Sequence, residues 1–104
     1  MKQDEFKTKV IFRKFKEGDI IAMFPEVVAN MNKAVCESYK HVGQHGACSI
    51  FISSFTKQAT PEEYNDLKCE LESIGYNLDI KKRYNQKYRD VLYKQIDEYY
   101  KKCS

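Results

Sequence analysis

The chain has 104 residues, which suits one domain spanning residues 1–104 because a second hydrophobic core would have too little chain; a multidomain enzyme is excluded. Hydrophobic residues make up 42% of the sequence and charged residues 32%, as is typical of folded globular proteins. No run approaches the roughly 18 apolar residues that a transmembrane helix requires, and residues 1–6 are mostly polar. We therefore expect a cytoplasmic protein, with no membrane partner, that begins with a frayed tail at residues 1–6.

The net charge of +3 is unevenly distributed along the chain. Residues 1–16 carry a net charge of +4 and residues 81–94 a net charge of +5, whereas residues 17–80 carry −6. If the two basic segments lie together in the fold, their positive potential converges on one surface and attracts phosphates. The alternative is two solvated basic faces that point apart.

The first half of the chain is typical of β-strands. Residues 9–15 and 20–25 are rich in β-branched and aromatic side chains and are separated by the turn sequence Lys16-Glu17-Gly18-Asp19, so they predict a hairpin. After a connection at 29–33, residues 34–42 predict a third strand that is interrupted by Gly43 and Gly46. Residues 49–55 are too short to classify as a strand, a helical turn or a buried loop.

The second half predicts two helices and one more strand. Thr60, Pro61 and Glu63 form a capping-box pattern that starts a helix over 61–74, and Gly75 can end it in a left-handed conformation. Residues 76–84 alternate like a half-buried strand, and residues 86–103 return to helical spacing. The sequence therefore predicts an α+β fold with the order β-β-β-α-β-α. We expect a small, mainly antiparallel sheet of three to four strands, with a capped helix and a C-terminal amphipathic helix, of which one or both cover one face of the sheet.

One short region, residues 36–48, concentrates reactive side chains and contains both histidines of the chain. Two glycines, Gly43 and Gly46, flank Gln44 and His45, and glycine permits a bend whose amides and imidazole rings point at a bound group. Three kinds of site are compatible with this region: a metal centre, a catalytic centre and a binding surface.

The first two alternatives have weak support. Cys36, His41, His45 and Cys48 are permissible zinc ligands, but their spacing is not that of a known finger, and on a regular strand Cys36 and His41 face opposite sides. Cysteines at such positions more often pack as small apolar side chains, and we expect all four cysteines to be reduced thiols. A histidine-dependent hydrolase would use His41 or His45 as base and Cys48 or Ser38 as nucleophile, but nothing in the spacing enforces that geometry. We expect no cofactor, no resident metal and no catalytic residue.

The leading hypothesis is a non-enzymatic binding protein for a phosphate-bearing ligand, either a nucleotide or a nucleic acid. Main-chain donors, a carboxamide and an imidazole can contact a phosphate or a base edge, and nearby basic residues can neutralise its charge. The predicted ligand-binding residues are Tyr39, His41, Gly43, Gln44, His45 and Gly46 in the bend, with Arg13, Lys14, Lys81 and Arg83 in the basic segments.

The last helix suggests a different hypothesis. Leu92, Ile96, Tyr99 and Cys103 form an apolar stripe at spacings of four, three and four. This stripe could lie on the sheet or pair with a second copy as a homo-oligomer. The alternative function is therefore a protein-interaction module that acts through the C-terminal helix or a sheet edge.

Four stretches carry a resemblance that covers about three quarters of the chain: VIFRKF followed by GDIIAMFPE, then SYKHVGQHG, and TPEEY continuing to IGY at 74–76. In these stretches the sequence is similar to small uncharacterised proteins encoded by gut bacteria, their phages and other mobile elements. That family has no established activity, so the resemblance implies a setting and no mechanism. The setting is an accessory or host-takeover protein that binds a host protein, a nucleic acid or a nucleotide. The tail at residues 85–104 lies outside the resembling part.

Overall fold

The computed structural model describes residues 7–40 and 44–103. The predicted tail at 1–6 and the predicted site residues His41 and Gly43 lie outside the described residues. The elements are, in chain order, β1 (Thr8–Lys14), β2 (Ile20–Phe24), β3 (Val35–Lys40), β4 (Gln44–Ser49), a 3₁₀ turn (Ile52–Ser54), β5 (Lys57–Gln58), α1 (Pro61–Ser73), β6 (Leu78–Lys81) and α2 (Gln86–Cys103).

The strands form one mainly antiparallel sheet in the order β4-β3-β2-β1, and β5 and β6 share the remaining edge of β1. β5 pairs antiparallel with the end of β1, where Arg13 lies opposite Gln58. β6 pairs parallel with its start, where Thr8 lies opposite Leu78. The α+β class is confirmed.

The predicted count of three to four strands is too low, since the described sheet has six. The predicted third strand ends at Lys40, and the chain returns as β4, which contains Gly46. The predicted interruption is therefore wrong at Gly46, because a glycine can stay in a regular strand, and Gly43 lies outside the described residues. β5 has only two residues and is too short to show any periodicity.

The two helices lie on opposite faces of the sheet, whereas the sequence predicted one or two helices on a single face. On the α1 face, Leu67 and Leu71 pack with Val10, Phe12 and Phe24. On the α2 face the buried cluster is Ile11, Met23, Cys36, Cys48, Ile50, Leu92 and Ile96, with others. The unbroken apolar run in β2 is the signal for this arrangement, because a strand that is buried on both faces has no polar side to alternate.

The predicted helix starts are confirmed. The Thr60 hydroxyl accepts a hydrogen bond from the Glu63 amide, and the Glu63 carboxylate accepts one from the Thr60 amide at 2.9 Å. α1 ends before Gly75, whose φ is +111°. α2 begins at Gln86 as predicted, with the Asn85 side chain accepting a hydrogen bond from the Lys87 amide at 2.8 Å.

α2 packs against the sheet through its apolar stripe. Leu92 and Ile96 are fully buried there, whereas Tyr99 is 47% exposed. The first two side chains are therefore not available to a second copy of the chain. Within the described residues, neither helix is both long enough and apolar enough to cross a membrane.

Candidate functional site

The predicted bend between the two glycines is a regular strand over its described half. Gln44, His45 and Gly46 belong to β4 and are exposed at the sheet edge. Gly46 lies opposite Ser38, whose hydroxyl donates a hydrogen bond to the Gly46 carbonyl at 2.7 Å. That carbonyl is therefore already paired inside the sheet.

His45 points to the α1 face. Its ring contacts the edge of Tyr39 with the ring centroids 4.6 Å apart, and its Nε2 lies 3.1 Å from the Tyr76 hydroxyl. Tyr39 itself is 1% exposed, and its hydroxyl donates a hydrogen bond to the Glu70 carboxylate of α1. The predicted use of Tyr39 as a binding surface is therefore corrected, because its ring is part of the core.

Cys36 and Cys48 lie directly opposite each other on the α2 face, with their Sγ atoms 3.8 Å apart. Both are free thiols, as is Cys69. Their hydrogen bond and burial raise the pKa of Cys36, while the same hydrogen bond lowers the pKa of Cys48.

Strand alternation separates His45 from these two thiols, which weakens both the zinc and the hydrolase alternatives. His45 and Cys48 are an odd number of positions apart on β4, so their side chains leave opposite faces of the sheet. Ser38 lies on the same face as Cys36, and its hydroxyl donates to the Gly46 carbonyl. Among residues 7–40 and 44–102, no three histidine, cysteine, aspartate or glutamate side chains are grouped closely enough to hold a metal ion.

The two basic segments meet because β6 pairs with β1, with Lys81 opposite Ile11. Not every predicted cation shares one surface, however. Lys14 points to the α1 face and forms an ion pair with Glu63. Lys81 forms an ion pair with Asp79, with the Lys81 Nζ and Asp79 Oδ2 atoms 3.4 Å apart.

Arg13 and Arg83, by contrast, lie together. They line one surface cleft of about 660 Å³ on the α2 side of the sheet, which we call the arginine cleft. Its lining residues are Arg13, Ile50, Phe51, Ser53, Ser54, Arg83, Tyr84, Asn85, Gln86 and Arg89. Three of these residues are arginines and none is acidic, so the positive charge of the cleft is not neutralised by its own walls.

Hydrogen bonds to the loop between β4 and β5 fix Arg13 in place. Its Nε donates to Thr56 Oγ1 at 2.9 Å, and its Nη2 donates to the Thr56 carbonyl at 2.6 Å and to the Ser53 carbonyl at 3.3 Å. All these acceptors are uncharged. Partial burial lowers the pKa of Arg13 by removing water from the guanidinium, which nevertheless stays protonated at neutral pH.

The cleft also contains the first turn of α2. Asn85 and Gln86 line it at the point where the helix begins, and the first turn has no acidic residue. The positive end of a helix dipole favours anions, although the Lys87 amide here already donates to the Asn85 side chain and the Tyr88 amide to the Asn85 carbonyl. Arg89 follows one turn into the helix and lines the same cleft as a third arginine, with its guanidinium carbon 5.9 Å from the centre of the Tyr93 ring.

Two hydroxyl groups of the cleft residues have no hydrogen-bond partner among the described residues, although both oxygen atoms are buried: Ser53 Oγ and Tyr84 Oη. Burial raises the pKa of Tyr84 to about 12. The prediction for residues 76–84 placed Tyr84 on the same strand face as Leu78 and Ile80. It lies instead beyond the end of β6, against the α2-face core.

The predicted ligand-binding set contains two of the three arginines of the cleft, and Tyr84 was a stacking candidate; most of the other lining residues were missed. The residues it missed come mostly from 50–54 and from the start of α2: Phe51, Ser53, Ser54, Asn85, Gln86 and Arg89. Arg89 carries one detectable signal, its place in the basic segment just after a helix start. Residues 50–54 carry no sequence signal of a binding site, because their position depends on the path of the chain from β4 back to β1.

No protein-family model matches the chain, and no curated protein and no solved structure matches it. The candidate site is therefore supported by its own geometry and charge.

Proposed function

We propose that the protein binds a phosphate-bearing ligand, a nucleotide or a nucleic acid, in the arginine cleft without transforming it chemically. One observation carries this proposal: Arg13, Arg83 and Arg89 line a single cleft whose walls contain no carboxylate. The His45 surface, which the sequence hypothesis joined to these arginines, lies on the opposite face of the sheet and is left out of the proposal.

The donors of the cleft suit a phosphate. Guanidinium groups are planar, stay charged and donate two parallel hydrogen bonds to phosphate oxygens. The start of α2 adds the positive end of a helix dipole to the same cleft. The volume of about 660 Å³ lies within the range of small-molecule sites.

The test is binding of ATP, measured by isothermal titration calorimetry at low and at physiological salt. We expect Arg83→Glu and Arg89→Glu each to weaken ATP binding about tenfold or more, since a hydrogen bond to a charged group contributes about 1.5–3 kcal/mol. Binding should also weaken as salt is added. Arg13 is less useful for this test because it also holds the loop between β4 and β5.

Matched controls come from neighbouring lysines outside the cleft. Lys82→Glu and Lys94→Glu make the same charge change beside Arg83 and on the same helix as Arg89, and both lysines are exposed and line other cavities. These controls should bind ATP nearly as tightly as the unmodified chain. The proposal is wrong if neither ATP nor an oligonucleotide binds at low salt, or if the arginine and lysine variants lose affinity equally.

A protein-interaction module stays the second candidate because β4 is an edge strand of the described sheet, with β3 as its only strand partner there. The unpaired side of such a strand can accept a strand from another protein. Binding of that kind would persist at high salt and would not require Arg83. In the setting of a phage or mobile-element accessory protein, the partner would be a host protein.

A further inference from the structure

The loop that joins β4 to β5 exposes two large aromatic side chains. Phe51 is 58% exposed and Phe55 is 59% exposed, and they stand on either side of the 3₁₀ turn Ile52–Ser54. Apolar rings of this size are usually covered in a folded domain, so two of them beside one short turn indicate a contact surface.

The turn is held rigidly by its neighbours. Ile52 is buried in the α2-face core, and the Ser54 amide and hydroxyl both donate to the Phe51 carbonyl, at 2.9 and 2.8 Å. The Phe55 amide donates to the Ile52 carbonyl at 3.2 Å. The Arg13 guanidinium donates hydrogen bonds to the carbonyls of Ser53 and Thr56. A ligand that contacts both rings therefore meets a preorganised surface, and little conformational entropy is lost on binding.

Each ring stands next to a cavity that is lined by cations. Phe51 lines the arginine cleft. Phe55 lines a second cavity of about 530 Å³ with Lys14, Lys16 and Lys57, and this cavity also has no acidic lining residue. Because Lys14 already forms an ion pair with Glu63, the cations of the second cavity that remain for a ligand are mainly the exposed Lys16 and Lys57. Each end of the turn therefore has one exposed aromatic ring with cations beside it.

Phe51 and Phe55 present two separate exposed rings, one at each end of the 3₁₀ turn, on which bases can stack. Exposed aromatic side chains that are flanked by cations form the usual platform for single strands, where bases stack on rings and phosphates contact the basic residues. A duplex hides its base faces and cannot use the rings in this way.

We propose that the ligand is a single strand of nucleic acid that runs across the 3₁₀ turn. Its bases stack on Phe51 and Phe55, and its phosphates contact Arg83 and Arg89 on one side of the turn and Lys16 and Lys57 on the other. This inference rests on the proposed function, because it extends the phosphate site of the arginine cleft to a polymer.

The experiment measures the fluorescence anisotropy of labelled 12-nucleotide oligo(dT) and oligo(U) with the full chain. Stacking on one aromatic ring contributes about 1–3 kcal/mol per base, so Phe51→Leu and Phe55→Leu should each weaken binding about fivefold to a hundredfold. Phe55→Trp keeps a stacking surface and should restore the affinity. Both rings are exposed, so thermal unfolding should be unchanged in all three variants.

A second measurement tests the second cavity. The logarithm of affinity for a single strand falls with the logarithm of salt concentration by about 0.7 for each phosphate contact. Lys57→Gln should therefore reduce this slope by about 0.7, whereas Lys94→Gln, far along α2, should leave it unchanged. The two oligonucleotides together show whether the strand is DNA, RNA or either.

Failure of this inference is distinguishable from failure of the proposed function. If ATP binding requires Arg83 but oligonucleotide affinity is insensitive to both leucine variants, the ligand is a nucleotide and the single-strand inference is wrong. Equal competition by a duplex of the same length would also overturn it. If neither ATP nor either oligonucleotide binds, the proposed function fails as well.

Discussion

The Tyr84 hydroxyl gives a sharp test of the arginine cleft, because it is buried without a hydrogen-bond partner in the described part of the chain. Burial raises the pKa of Tyr84 from 10.0 to about 12. Below about pH 10 this tyrosine is neutral in both the folded and the unfolded chain, so its ionisation does not affect stability. As the pH rises from about 10 toward about 12, the unfolded chain ionises at this residue and the folded chain does not, so the free energy of unfolding falls.

The size of this loss follows from the pKa difference. The interval between 10.0 and about 12 corresponds to about 2.7 kcal/mol. The ring of Tyr84 is partly exposed, so solvent screens the phenolate, and we expect the measured loss to be about 1 kcal/mol. At neutral pH, Tyr84→Phe removes an unpaired hydroxyl and should leave the free energy of unfolding unchanged or raise it by up to about 1 kcal/mol.

The assay is urea unfolding, followed by circular dichroism, of the unmodified chain and of Tyr84→Phe at about pH 8 and about pH 11. The difference in unfolding free energy between the two proteins should grow by about 1 kcal/mol at the higher pH, in favour of the variant. Tyr99→Phe, which changes a tyrosine that is 47% exposed, is the control and should follow the unmodified chain. An equal difference at both pH values would refute the burial of the Tyr84 hydroxyl.

Two further predictions concern α2 and the thiols. Ile96→Asp should prevent folding because it places a charge in the core, whereas Tyr99→Asp should fold normally; thermal unfolding checks this, and a stable Ile96→Asp protein would contradict the packing of α2. In a Cys103→Ser background, Ellman's reagent should react rapidly with the exposed Cys69 and only slowly with the buried Cys36 and Cys48. Mass spectrometry after brief labelling identifies the modified residue, and rapid modification of Cys36 would show that the sheet opens on that side.

Where the helices begin and where the first one ends could be predicted from the sequence alone, because these boundaries depend on residues close together in the chain. The capping box at Thr60, the left-handed Gly75 and the start of α2 at Gln86 each follow from groups within one helical turn, and the structure has all three. The α+β class follows from the same periodicities. The meeting of the two basic segments was left open by the sequence.

Only the tertiary structure decided which side chains share a surface. Because β6 pairs with β1 and the loop after β4 returns to β1, Arg13, Arg83 and Phe51 meet at one cleft although they are far apart in sequence. Strand alternation likewise placed His45 and Cys48 on opposite faces, although both belong to the short reactive region at 36–48. Such neighbours are set by long-range strand pairing and by the choice of face for each helix, and neither leaves a pattern within a short stretch of chain.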